Sequence, residues 1–165
     1  MQEEWLEIED FPGYYVSNYG YVRSEHSDRM LTLSPVQYGM PTVGLMRDQL
    51  QYRRAVSGLV ARAFLDEPER EDFNTPIHLD GDRKNCRVDN LMWRPRWFAV
   101  NYHKERITPP FPQWSRDIRL AQTGEIFDNP SQAAQKYGLL ERDIHRSLVN
   151  GSPVAPYGFF FDYAS

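Results

Sequence analysis

The sequence predicts an α+β fold of short elements: antiparallel strands at the N-terminus, a strand-strand-helix unit in the middle and a helix pair at the C-terminus. Three observations carry this. Residues 5–24, "WLEIEDFPGYYVSNYGYVRS", alternate aromatic or branched side chains with polar ones around Phe-Pro-Gly and Asn-Tyr-Gly, the pattern of short strands joined by tight turns. In "GLVARAFL", Leu59, Val60, Ala63 and Phe64 recur at helical spacing. "NPSQAAQKYG" followed by "LLERDIHRSLVNG" reads as two helices joined through Gly138.

Residues 1–40 form the expected N-terminal β module. A second hairpin is expected at 41–57, where "PTVGLM" and "YRRAVS" flank the polar turn "RDQLQ", and the short amphipathic helix of "GLVARAFL" follows. After an acidic connection comes "FNTPIHLDGDRKNCRVDNLMW", residues 73–93. Here "DGD" and "KNC" are turn-formers, "RV" is a short extended piece and "NLMW" returns to the core. "RWFAVNYHKE" continues as a helix with Trp97, Val100 and Lys104 on one face and Ala99 and His103 on another. Residues 41–106 therefore read as a ββα unit. Trp93, Trp97 and Phe98 are assigned to its core, because a tight hairpin has little else to bury.

Three prolines in "ITPPFPQW" make 107–114 a linker, since proline removes a backbone donor and cannot continue a helix. In the last module, 115–165, "IRLAQTGEIF" is a hairpin around Thr-Gly. Ser131 is the expected N-cap of the next helix and Gly138 its stop, while the final helix ends near Asn150 and Gly151. On that helix Arg142, Asp143, His145 and Arg146 are expected to be exposed, with Ile144 and Leu148 facing inward. The spacing is that of a helix-turn-helix, whose second helix enters the major groove of DNA.

Composition narrows the class of function. The single cysteine, Cys86, excludes an internal disulfide framework and a Cys-rich zinc site, which fits a reducing compartment and a cytoplasmic location. No export signal is legible, and no apolar run approaches the roughly 20 residues that span a bilayer. The net charge of -4 counts against a polyanionic partner, but its distribution does not. Acidic residues gather at Glu3–Asp10 and Asp66–Asp72, whereas Arg83, Lys84, Arg87, Arg94, Arg96, Lys104 and Arg106 fall in and just after the 73–93 stretch. A positive face on a negative protein is still a footprint for nucleic acid.

"HLDGDRKNCRVDNLMW" resembles the core of the phage-type HNH homing endonucleases, with a histidine, a D-G turn, an asparagine-bearing loop and a terminal N-L-x-W. "GLVARAFL" is similar to the apolar helix that precedes that core. The N-terminal "EEWLEIEDFPGYYVSNYGYVRS" is similar to a small DNA-binding motif often found ahead of it, and "GEIFDNPSQAAQKYG" with "DIHRSL" to a C-terminal helix-turn-helix repeat. The resemblance implies a ββα-metal nuclease core between two DNA-binding appendages, of phage or mobile-element origin. The implied activity is metal-dependent, site-specific cleavage of double-stranded DNA by a monomer, with magnesium or manganese as cofactor. The alternative is a catalytically degenerate DNA-binding protein on the same scaffold.

The chemistry explains the residue types. Phosphodiester hydrolysis needs a water stripped of its proton and a cation to absorb charge on the phosphorus and the leaving oxygen. Histidine is the suitable base near pH 7 once its tautomer is fixed. The resemblance implies His78 as that base and Asn90 as the residue that anchors the hairpin and orients the ring. Arg83, Lys84 and Arg87, with Arg94 and Arg96, are the candidate phosphate clamps, and Arg142 and Arg146 the candidate groove contacts. Three positions depart from the family's metal site: Ile77 stands where relatives place a ligand before the base, Ala99 where the final helix carries Asn or His, and Ser57 where the earlier helix begins with His. His103, one helical turn beyond Ala99, and Asn101 are the substitutes on offer.

Overall fold

The computed structural model describes residues 1–35, 39–109 and 116–164. They group into two compact units, one of Met1–His78 with Asp82–Arg96, the other of Leu79–Gly81 with Trp97–Ser165. The α+β class holds for both.

In the first unit β1 (Trp5–Glu7), β2 (Tyr14–Ser17), β3 (Val22–Ser24) and β4 (Arg29–Met30) form an antiparallel meander in chain order. Its strands follow the sequence alternation: Val22 and Ser24 are buried while Arg23 between them is exposed. A second sheet contains β5 (Ser34–Pro35), β6 (Pro41–Arg47) and β7 (Leu50–Ala55). The β6–β7 turn is tighter than expected from "RDQLQ". Arg47 pairs with Leu50, so only Asp48 and Gln49 turn, both at positive φ of 51° and 64°. The polar run misleads because the ribbon is solvent-facing at its turn end, where Met46 and residues 48–51 are exposed, so strand residues there need not be apolar.

Helix α1 (Val56–Phe64) leaves β7 directly, two residues earlier than the apolar spacing suggested, and buries Val56, Ser57, Leu59, Val60 and Ala61. The hairpin of β8 (Thr75–His78) and β9 (Leu91–Arg94) completes the unit, with His78 opposite Leu91. One core joins Phe11, Tyr14, Val16 and Val22 with Val43, Leu45, Val56, Val60, Cys86 and Leu91. The boundary expected at residue 40 therefore falls inside a shared core. Of "RV" only Arg87 is extended, at φ -65° and ψ 142°: Val88–Asn90 form a 3-10 turn, and Asn90 N donates to Arg87 O at 3.0 Å.

Helix α2 (Arg96–Ile107) lies in the second unit from Trp97 onward. Its buried residues are Phe98 and Tyr102, four apart on one stripe. Trp97, one step around the helix from that stripe, is 59% exposed, which corrects its assignment to the core. Of the expected linker, residues 110–114 lie outside the described residues. Beyond it come β10 (Ile118–Leu120), β11 (Ile126–Phe127), α3 (Pro130–Tyr137), α4 (Glu141–Asn150) and β12 (Phe161–Tyr163), the sheet running β11-β10-β12. Ile118, Leu120, Phe127, Ala134, Leu139, Ile144 and Phe161 make the core under the helices. The N-cap of α3 is Asn129, not Ser131: its side chain accepts from Gln132 N, and Pro130 occupies the first helical turn. Gly138, at φ 58°, ends α3, and a turn through Leu139 and Leu140 leads into α4.

Candidate functional site

His78 closes strand β8 with 9% of its surface exposed. The connection to β9 is built by short-range hydrogen bonds. Asp82 Oδ1 accepts from Lys84 N at 2.9 Å, Asn85 N donates to Asp82 O at 3.1 Å, and Cys86 N donates to Lys84 O at 3.1 Å. Asn90, also buried, reaches back with Nδ2 to the Asn85 carbonyl at 2.9 Å, bracing the base of the loop. Val88 N donates to Asn18 O at 2.9 Å, and Arg87 stacks over Tyr19 at 4.3 Å. The loop is thus seated on the β2–β3 turn of the N-terminal module.

Folding of this loop delivers Cys86 to the histidine. Its sulfur lies 4.0 Å from His78 Nε2 and 3.7 Å from the Arg83 carbonyl oxygen. Burial pushes the thiol up to about 11, against a hydrogen bond from the Ser57 backbone that lowers it. Cys86 is the residue that sequence reasoning missed: nothing in a lone cysteine's spacing reports a neighbour that only loop closure supplies.

The predicted cations separate into classes. Lys84 and Arg96 are exposed and Arg83 is half-buried. Arg87 carries a bidentate pair with Asp89, both bonds at 3.2 Å, which raises its guanidinium further above its usual value. Arg94 is a correction. At 1% exposure it lies inside the unit, donating to the Trp93 carbonyl at 2.7 Å with its guanidinium 5.5 Å from the Phe73 ring, and cannot face a phosphate there. Also unanticipated are Arg47 and Arg54, each near the Phe11 and Tyr52 rings, and exposed Arg53 on the same ribbon.

In the second unit Tyr102 Oη donates to the Leu79 carbonyl at 2.8 Å. Gly81, at φ 81°, lies so close to Arg106 that a Cβ would sit 2.5 Å from that side chain, which explains the glycine of "DGD". On α4 only part of the expected face is exposed. Arg146 is exposed and pairs with Asp143 at 3.1 Å, but Arg142 faces Glu105 at 3.4 Å, and His145 is largely buried 3.6 Å from Glu141.

No family model matches the chain. A protein of Acanthamoeba polyphaga mimivirus named as an uncharacterized HNH endonuclease is 33% identical over 132 residues, 73% of this chain and 32% of that protein. The H-N-H endonuclease F-TflII of Escherichia phage T5 is 31% identical over 90 residues, 54% of this chain and 47% of its own length. The chain is a relative of the HNH endonucleases. It spans 27% to 47% of the length of the curated relatives it matches. A solved structure described as DNA binding and cleavage by the HNH homing endonuclease I-HmuI superposes with a TM-score of 0.56 over 98% of both chains at 23% identity, which shows a shared fold.

At the three positions where the resemblance implies metal ligands, one on β8, one on α1 and one on α2, this chain carries other residues. Ile77 is 2% exposed and apolar, Ser57 is buried with Oγ 3.8 Å from the Met40 sulfur, and Ala99 has no donor. The nearby Cys86 is held as a thiol, which is a poor ligand compared with a thiolate. Asn101 donates its amide to Trp97 O, inside its own helix, and His103 is half-buried with partners within the protein. Among the described residues no group of three or more His, Cys, Asp or Glu is placed to hold a metal ion. These residues do not fit a metal cage built by the HNH hairpin alone.

Proposed function

We propose that the chain is a site-specific DNA endonuclease of homing type in which His78 is the general base. The observation that supports it best is the β8–β9 hairpin of an HNH relative carrying a buried histidine at its strand end, above a loop braced by Asn90. His78 would take a proton from water as its oxygen bonds to phosphorus, while the bond from phosphorus to the leaving sugar oxygen breaks. Arg83, Lys84, Arg87 and Arg96 would pair with the flanking phosphates, and α3–α4 would act as a helix-turn-helix, with Arg142 and Arg146 toward the groove. The partner is double-stranded DNA bound by a monomer, in the cytoplasm of a host cell. Magnesium or manganese belongs to this reading as an ion held largely by phosphate and water, with His103 or Asn101 as candidate protein ligands.

The buried Ile77, and the lack of a ligand cluster among the described residues, favour a second reading, a DNA-binding protein on a degenerate nuclease scaffold. Incubating the chain with DNA of its source genome in magnesium, in manganese and in chelator separates the two. Cleavage that needs the metal supports the endonuclease. Shifted but intact DNA in every condition supports the binding protein.

A further inference from the structure

We propose that the turn of Asn18, Tyr19 and Gly20 is a positioning element of the candidate site: it seats residues 86–88 of the β8–β9 loop so that Cys86 packs against His78. The resemblance implies a DNA-reading appendage for this part of the chain; its contacts give it a part in the site as well. The catalytic consequence rests on the endonuclease reading, whereas the positioning does not.

The turn is held more firmly than a hairpin requires. Two backbone bonds close it, Ser17 N to Tyr21 O at 2.8 Å and Gly20 N to Ser17 O at 2.9 Å. Ser17 Oγ then accepts from Tyr19 N at 3.3 Å and from Tyr21 N at 3.2 Å. Asn18 Oδ1 accepts from Glu4 N at 3.1 Å and its Nδ2 donates to Gln2 O at 2.9 Å, while Tyr19 Oη donates to Met1 O. Ser17 and Asn18 are buried, at 0% and 3% exposure, so water competes poorly for their bonds.

Each of the three turn residues meets a different residue of the loop. Asn18 O accepts from Val88 N at 2.9 Å, the Tyr19 ring lies 4.3 Å from the Arg87 guanidinium, and Gly20 faces Cys86. The contacts run in reverse order, 18 to 88, 19 to 87 and 20 to 86, so the loop lies along the turn rather than touching it at one point. Gly20 has φ 88°, and a Cβ there would sit 3.0 Å from Cys86 Cβ and 3.3 Å from its carbonyl oxygen, so this approach needs a glycine. Asp89, which also holds Arg87, belongs to the same loop and cannot anchor it to anything outside; the Tyr19 ring can. The seated end carries the wall of the candidate base, since Cys86 Sγ is 4.0 Å from His78 Nε2. A displacement of about an ångström near a reacting group is enough to cost roughly 100-fold in rate.

Histidine-ring NMR of the whole, DNA-free chain tests this, comparing wild type with Tyr19→Leu, Tyr19→Phe and Arg87→Ala. Leucine removes the aromatic face; phenylalanine keeps it and loses only the hydroxyl bond to Met1 O. Arg87→Ala breaks the same contact from the loop side with the tyrosine ring still in place. His26 is the internal control, because it lies in the same N-terminal module with its ring against Pro12 O and Tyr14. The His78 signals should shift in Tyr19→Leu and in Arg87→Ala while those of His26 stay, and Tyr19→Phe should keep the wild-type spectrum. On DNA, Tyr19→Leu should lower the single-turnover cleavage rate roughly 10- to 100-fold, a larger loss than in affinity. Unchanged His78 signals in Tyr19→Leu overturn the proposal. So does a shift in that variant alone, which is the direct effect of the missing ring, or a shift of all four histidines, which is a general loosening. A shift at His78 in both variants, with His26 unmoved, supports the proposal even if wild type leaves all DNA intact, a result that removes only the endonuclease reading. Should Tyr19→Leu fail to fold, Arg87→Ala decides by the same signals.

Discussion

Ile77 and His78 are neighbours on β8 and both are buried, yet they call for opposite experiments. His78→Ala removes the proposed base from a site whose walls are made by other residues, so the fold and DNA affinity should survive. Single-turnover cleavage should fall roughly 100- to 10,000-fold, the usual contribution of a general base. Equal rates for wild type and variant would remove His78 from the chemistry. Ile77→Asp introduces a carboxylate at the position where the resemblance implies a metal ligand, but at 2% exposure its charge would have to be buried. The expected outcome is a loss of several kcal/mol in urea unfolding rather than a gain in nicking, because an unpaired buried charge costs about that much. The resemblance identified which residues differ from the family at these positions; their burial needed the structure. Arg94 makes the same point. Its place within a basic run reads as surface, whereas Phe73 and the Trp93 carbonyl receive it inside the unit.

Element-scale features were legible where the signal is local. Period-two alternation, the Gly138 stop and the apolar stripe of α1 each depend on residues a few positions apart, and the elements appear close to where those patterns place them. Capping by a distant residue is not legible in this way. Helix α4 has Leu140 at its N-cap and no side-chain cap of its own. Glu105 of α2 supplies the acceptor instead, its Oε2 taking Glu141 N at 2.8 Å, while Oε1 faces Arg142 Nε at 3.4 Å without hydrogen-bond geometry. Burial raises the Glu105 carboxyl above its ordinary value, with Asp143 and Glu141 adding to the rise and the Glu141 N–H and Arg142 opposing it. A carboxyl with a raised folded-state pKa holds its proton more readily folded than unfolded. Its contribution to stability therefore declines as pH rises from the ordinary carboxylate value through the raised one. Glu105→Gln keeps an acceptor for Glu141 N but does not titrate, so urea unfolding of this variant should lose that part of the pH slope. An identical slope in both proteins would show that Glu105 is not perturbed as described.

For the whole molecule, a negative net charge coexists with a proposed polyanion partner, so affinity must come from a minority of well-placed cations. Sequence order alone ranked Arg142 and Arg146 equally as groove contacts. The fold separates them. Arg142 is already engaged by Glu105, across a sequence distance that no local pattern reports, whereas Arg146 is exposed and pairs within its own helix with Asp143. Exposed pairs of this kind contribute little to stability, so Arg146 can exchange its partner for a phosphate at low cost. If α4 lies against DNA, Arg146→Ala should weaken binding while leaving unfolding in urea nearly unchanged. It should also reduce the slope of log affinity against log salt by about 0.9, the counterion released by one phosphate contact. Arg142→Ala should behave differently: it removes one of the groups that favour ionised Glu105, so it should lower stability at neutral pH and raise the Glu105 pKa further, with a smaller effect on the salt slope. Measuring affinity across a salt series for both variants, alongside their unfolding, decides the matter. If Arg146→Ala leaves both affinity and slope at wild-type values, the exposed face of α4 does not meet DNA, and recognition falls to other exposed cations, such as Arg53 on the β6–β7 ribbon, Lys84 beside the candidate site and Lys104 on α2.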